Sequence, residues 1–288
     1  AEPHDLVLPM FEETLAFARY RERLPPGVRL PLADYATLLR VHDKRSLGAL
    51  ACAAGVPTPE TQITRDPEET GVPFPCCLKV PQSNSARGVA VVRSRSAVAP
   101  AWKRLVEVNR VPPGVPARVQ RFVDGYQLCT LSFAWRGRPK GTLVYRNLCE
   151  FPSDGGAGIA RVAVRHPVIE AHVDRLLRVA SWHGVVGFDF LVDRQTGEAF
   201  LIDGNPRFTP ATLLSLRSGL DLVGWSIAEA EPAAAPPGRP GLRTRIDPLV
   251  ILYCLRALFP QRQFLPRLKL ALSFLMPKRV SRSDLYDA

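Results

Sequence analysis

Gly187-Phe188-Asp189-Phe190-Leu191-Val192-Asp193, followed by Phe200-Leu201-Ile202-Asp203-Gly204-Asn205-Pro206-Arg207, decides how the chain is read. The two apolar runs flank a turn at Gln195-Thr196-Gly197 and predict two β-strands joined in a hairpin. The first strand sets Asp189 among apolar neighbours, and the second ends in Asp-x-Asn-Pro-Arg. Alternation puts Asp203 and Asn205 on one side of an extended chain. If the strands pair, Asp189 sits beside them. Three oxygen ligands then face one pocket, with Arg207 at its rim. Hard oxygen donors that leave room for phosphate suit Mg²⁺ (or Mn²⁺), and such a site holds a nucleotide's phosphates through the metal. A plain hairpin with polar ends is the other reading, and on this segment alone the two stand level.

The 288 residues suffice for one large domain or a few subdomains, and an apolar fraction of 46% is ample for a core. A net charge of +11 points to nucleic acid, a membrane surface or anionic ligands. No run of Lys/Arg interleaved with aromatics and no zinc-finger or RNA-binding signature is present, so no nucleic-acid partner is expected. Six cysteines (Cys52, Cys76, Cys77, Cys129, Cys149, Cys254) lack metal spacing. Reduced thiols in a cytoplasmic protein are the simplest account. The first residues, Ala1 to Asp5, lack the basic region and apolar core of a secretory signal. No apolar run reaches the roughly 20 residues of a membrane span.

Along the chain, 6–9 predicts a short buried strand and 11–24 an amphipathic helix stopped by Pro25-Pro26-Gly27. Asp43 caps a helix through 54, with Gly55 as its stop. Strands are expected near 61–64, 75–80, 89–92, 117–123, 128–135 and 139–146, and a helix over 102–109. A helix over 166–183 carries the stripe Ile169, Val173, Leu176, Leu177, Ala180, with Pro167 in its first turn. Helices follow at 211–218 and 221–230. The expected domains are a partial α/β segment over 1–35, a main domain over 36–230, a Pro/Ala linker over 231–242 and a basic helical tail over 243–288.

Several residues suggest chemistry, each beside a plainer reading. Lys79 ends an apolar strand, where a lysine is expensive unless something anionic meets it. The loop after it, Gln82 to Gly88, offers backbone N–H groups for phosphate, although it is no Walker A motif. A snorkelling edge lysine fits equally. Gln120-Arg121-Phe122-Val123 runs to a turn glycine, Gly125; its backbone can read an adenine edge or simply enter a hairpin, the latter being favoured on this segment alone. The histidines show no paired metal spacing; His166 reads as a helix cap. No nucleophile elbow occurs. From Arg239 onward, ten Lys/Arg stand against three Asp, seven of the net positive charges. This tail suits either peripheral membrane contact or a helical lid or homodimer contact, the latter being favoured.

In order, these pieces resemble the ATP-grasp superfamily, in particular its carbamoyl-phosphate-synthase-like and carboxylate–amine ligase branch. The resemblance covers about 31–222. It is carried by His42-Asp43-Lys44 opening a helix that ends Ala54-Gly55-Val56-Pro57-Thr58-Pro59, by Leu78-Lys79 with Ser83 to Gly88, by Gln120-Arg121-Phe122-Val123-Asp124-Gly125, and by Asp189 with Asp203-Gly204-Asn205-Pro206-Arg207. It implies an α+β fold in which two subdomains clamp ATP behind a Rossmann-like domain, here reduced to 1–35. It implies that Lys44, Lys79 and Ser85 meet phosphates, that Gln120, Arg121, Phe122 and Val123 hold adenine, and that Gln127 lies at the ribose. Asp189, Asp203 and Asn205 match the metal ligands, and Arg207 a phosphate-binding arginine. The family more often has glutamate where Asp203, Gln120, Arg121 or Gln127 stand.

The implied reaction is attack of a carboxylate on the γ-phosphate of ATP, then displacement of phosphate from the acylphosphate by an amine. Lys79 and Arg207 would be its catalytic side chains, the rest being positioning and charge neutralisation. The glycines from Gly155 to Gly158 would close over the intermediate. Two other readings stay open: a degenerate relative that binds nucleotide without catalysis, and a membrane-surface biosynthetic ligase.

Overall fold

A computed structural model describes residues 4–80, 88–151, 157–246 and 280–281. After a short N-terminal region the chain forms helices α1 (Glu13–Arg19), α2 (Tyr35–His42) and α3 (Lys44–Ala53). A four-stranded antiparallel sheet follows, built from β1 (Thr61–Thr64), β2 (Cys76–Lys79), β3 (Val89–Val92) and β4 (Ala117–Arg121) in the order β1-β4-β2-β3. Helix α4 (Val98–Asn109) covers one face of it: Val98 and Leu105 bury against Leu78, Val92 and Val119. Lys79, Arg118 and Gln120 alternate with these apolar residues, so they belong to the other face.

The larger sheet contains β5 (Gly125–Trp135), β6 (Arg138–Phe151), β7 (Ala157–Val164), β8 (Gly184–Asp193), β9 (Ala199–Asn205), β10 (Arg243–Arg245) and β11 (Val280–Ser281). Their order is β11-β10-β7-β6-β5-β8-β9, antiparallel apart from β10 with β11. Helices α2, α3 and α5 (Pro167–Val179) pack on one face through Leu38, Val41, Leu50, Val173 and Leu176, which meet Leu128, Phe188, Phe190 and Leu201. Part of the opposite face is covered by α6 (Thr212–Arg217) and α7 (Leu222–Ile227), whose Leu214 and Leu222 join Leu131, Phe133 and Leu143. The segment after α7 is tied to this sheet, with Ala235 N–H donating to Lys140 O and Gly241 N–H to Ala163 O.

Helix ends follow their chemistry. The Asp43 carboxylate accepts from the Arg45 and Ser46 amides at the start of α3, and Gly55 takes φ of +61° just past its end. The Arg175 guanidinium on α5 donates to the carbonyls of Ala54 and Gly55, fixing the C-terminal end of α3. His166 caps α5, as its position suggests, its Nδ1 accepting from Ile169 N–H. The sequence expectation differs from the structure at several elements. The 6–9 strand is one bridge between Leu6 and Arg29, because its partner is a single extended residue. The 11–24 helix is α1 followed by a single 3₁₀ turn at Arg21–Arg23. Helix α4 starts four residues earlier than expected, Pro100 being tolerated in its first turn. Helix α2 and strand β7 were not anticipated. The expectations for Gln82 to Arg87, including Ser85, for Asp154 to Gly156 and for most of the basic tail fall outside the described residues. Among the described residues no disulfide joins the five cysteines. Among the described residues no helix is long and apolar enough to cross a membrane.

Candidate functional site

The pairing of β8 with β9 sets the floor of the site. Gly187 lies opposite Asn205, Phe188 opposite Gly204 and Asp189 opposite Asp203, while Phe190 pairs with Leu201. Ile202 is therefore an extra residue, a bulge that turns Asp203 onto the face of Asp189. Gly204 faces the helices: a Cβ there would lie 2.6 Å from Val41 Cγ1 and 2.7 Å from Val41 O. The glycine lets α2 press onto β9 and brings the start of α3 beside the carboxylates. Lys44, the first residue of α3, has its Nζ 3.6 Å from Asp203 Oδ2.

Asp189 keeps a partly open side toward the cleft, yet protein surrounds its carboxyl closely. Burial, and next the like charge of Asp203, push its pKa up to about 7, against smaller opposing effects of the Cys129 thiol, Arg207 and Lys44. Cys129 is its cross-strand neighbour on β5, and Tyr145 is the neighbour of Cys129 on β6. Burial raises both the Cys129 thiol and the Tyr145 phenol well above their ordinary values, so both stay protonated at neutral pH. Gln127 lies two residues before Cys129 on the same face, exposed, its Nε2 donating to Cys129 Sγ at 3.5 Å. Arg207 is held from the N-terminal region: Nε donates to Glu12 Oε1 at 3.1 Å, and the guanidinium lies 4.3 Å from the centre of the Phe11 ring.

The small sheet supplies cations. Lys79 stands directly opposite Arg118 in the β2–β4 pair. Burial lowers the Lys79 pKa to about 8, Lys44 adding to the effect while Cys77 and Asp203 oppose it. Asp203 thus acts on side chains of both sheets, and Lys79, Lys44, Asp203 and Asp189 converge on one cleft. Gln120 Nε2 donates to Thr61 Oγ1 at 2.9 Å. The backbone amides of Arg121 and Phe122 are committed to Glu60 O and Pro75 O, and the Arg121 guanidinium lies over Phe200. Of the stretch expected to meet adenine, Val123 is the buried hydrophobic residue, beyond those two committed amides.

Among the described residues no group of three or more His, Cys, Asp or Glu is arranged to hold a metal. The donor set here is instead two opposed carboxylates with the Asn205 amide in the next position on the same face. That set fits a divalent cation, because a like-charge carboxylate pair with one member raised to about 7 is relieved by positive charge between the two. Sequence reasoning missed Glu12, Cys129, Tyr145 and Arg118. For Arg118 the signal was present: a charged residue between Ala117 and Val119, the same anomaly that singled out Lys79.

No family model matches the chain. It is 21% identical over 196 residues to the carbamoyl phosphate synthase large chain, C-terminal section, of Methanopyrus kandleri, covering 63% of this chain and 35% of that protein. The biotin carboxylase domain of the Hydrogenobacter thermophilus 2-oxoglutarate carboxylase, determined with MgADP, ADP and bicarbonate, superposes with a TM-score of 0.69 at 15% identity, over 83% of this chain and 57% of that one. The L-amino acid ligase of Bacillus licheniformis gives 0.65 at 16% identity, over 84% and 62%. N5-carboxyaminoimidazole ribonucleotide synthetase of Thermus thermophilus gives 0.56 at 21% identity, over 74% and 57%. The chain has the ATP-grasp fold. It spans about a third of the curated relative and little more than half of these structures.

Proposed function

We propose that the chain binds Mg-ATP between its two sheets and uses it to join a small-molecule carboxylate to an amine through an acylphosphate. One observation carries the reading: like charges stand opposite each other in each sheet, Asp189 with Asp203 and Lys79 with Arg118, and the two pairs bear opposite sign. Like charges directly opposite in a sheet are destabilising. An occupant with a cationic and an anionic part relieves both. The solved structure with MgADP and bicarbonate and the L-amino acid ligase support this choice of occupant and reaction class.

Asp189, Asp203 and Asn205 would hold the metal, which when bound neutralises phosphate charge as it develops. Lys79 and Lys44 would bind and orient the phosphate chain, and Gln120 to Val123, with Gln127, the nucleoside. Arg207, swung from Glu12 or shared with it, would meet the transferring phosphoryl group or the acyl oxygen. The chain's work would then be positioning and charge stabilisation, so no nucleophilic side chain is needed.

Calorimetry with Mg-ATP on the full chain tests the reading, beside Lys79→Ala and Asp203→Ala, followed by ADP release with panels of acids and amines. Binding lost in both variants, with ADP release that needs both an acid and an amine, is the expected result. Binding without any acid- and amine-dependent ADP release would favour a nucleotide-binding protein without ligase activity. No binding in the wild type would overturn the proposal.

A further inference from the structure

We propose that Arg118 is an additional phosphate-binding residue of this cleft, a cationic contact from β4 beside Lys79 and Lys44. The inference rests on the nucleotide reading above and extends it to a residue that the motif pattern does not mark. The guanidinium Nε and Nη1 are buried and have no hydrogen-bond partner among the described residues. Buried donors without acceptors are costly, the more so when they carry charge. The surroundings do not compensate. Burial lowers the Arg118 pKa, and the carboxylates of Asp43 and Asp203 attract it only in part. Asp43 is committed to the Arg45 and Ser46 amides and the Ser46 hydroxyl, and Asp203 faces Lys44.

Arginines with a structural task look different in this molecule. Arg175 uses its nitrogens on the carbonyls of Ala54 and Gly55, and Arg21 donates to Leu32 O and Ala33 O. Arg118 has the opposite pattern: it stands opposite another cation, Lys79, and its Nε and Nη1 are unspent. A ligand oxygen with several negative charges behind it satisfies both, and the planar fork of arginine suits a phosphate. Its position on the strand specifies which end of the ligand it meets. Arg118 lies two residues, about 7 Å, before Gln120. It is thus farther than Gln120 from Val123, and level with Lys79.

The test uses calorimetry of the full chain with Mg-ATP and with AMP, for wild type, Arg118→Met and Arg118→Lys, with thermal unfolding of each ligand-free protein. Arg118→Met is expected to weaken ATP binding about ten- to hundredfold, to change AMP binding far less, and to unfold at the same or a higher temperature, since methionine removes the orphaned donors. Arg118→Lys should fall between. Unchanged ATP affinity in Arg118→Met would overturn the proposal, and so would an equal loss for ATP and AMP. Lower stability or failure of that variant to fold would mark Arg118 as structural and likewise refute it. If wild-type protein binds neither nucleotide, the nucleotide reading itself falls and this inference falls with it. Binding by wild type with an indifferent Arg118→Met sinks the present inference alone.

Discussion

Asp189→Asn should stabilise the metal-free chain, and by more at higher pH. The folded-state pKa of Asp189, about 7, lies above its ordinary value of 3.8. The folded chain therefore holds a proton that the unfolded chain releases across this window, and stability falls as pH rises from about 4 to about 7. The gap corresponds to roughly 4 kcal/mol at 1.36 kcal/mol per pH unit; water at the open side of the carboxyl reduces this to about 2 kcal/mol at pH 8 and about 1 at pH 5.5. Asparagine keeps the shape, loses the repulsion from Asp203 and still offers the Cys129 thiol an acceptor. Urea unfolding with chelator present, at both pH values, reads the difference directly. Adding Mg²⁺ and ATP should reverse the order, because the wild type gains a bound ligand and the variant loses a metal donor. A variant less stable than wild type at pH 8, or a gap that does not change with pH, would refute the claim that Asp189 is a desolvated, repelled carboxylate.

Lys79, with its pKa lowered to about 8, should lose its charge just above neutrality, so Mg-ATP affinity should fall by up to about tenfold per pH unit above pH 8. Titrating affinity from pH 7 to 9.5 in wild type and in Lys79→Arg checks this, since the arginine keeps its proton and should flatten the slope. Gly204→Ala should cost about 1–3 kcal/mol, because the added Cβ meets the Val41 backbone and side chain, whereas Gly48→Ala in α3, with open space at that point, should gain about 0.5–1 kcal/mol. Equal denaturation midpoints for these two alanine variants would refute the packing account of Gly204.

The sequence disclosed elements whose causes are local. Asp43 followed by the Arg45 and Ser46 amides, Gly55 past the helix end, and Pro167 after His166 are short-range signals, and each marks a boundary in the structure. The 187–193 and 200–205 runs were legible for the same reason, since one turn fixes their pairing. Helix α2 escaped notice although Asp34 caps it through Thr37 N–H, because Leu38 and Val41 alone make a short stripe. What the sequence could not disclose depends on distant pairing. Nothing local announces that Ile202 is a bulge, that β4 inserts between β1 and β2 to set Arg118 against Lys79, or that Glu12 reaches across 195 positions to Arg207. Lys79 and Arg118 were equally odd as charges in apolar strands, and only the first was read as functional because a loop pattern followed it.

The cleft therefore carries a cost that neither sheet can relieve alone. In the large sheet the bulge at Ile202 brings Asp203 level with Asp189, when a regular strand would have turned it toward the helices. In the small sheet, register brings Lys79 level with Arg118. Lys44 is the link between them: it neutralises part of Asp203 at 3.6 Å while making Lys79 harder to charge. Removing Lys44 should thus have two consequences of opposite sign, raising the repulsion felt by Asp189 and easing the protonation of Lys79. A site shaped for stability would have paired these charges across the cleft and closed it. Keeping same-sign pairs on separate walls, with two orphaned guanidinium nitrogens among them, is the arrangement expected where the missing counter-charges arrive together on one ligand.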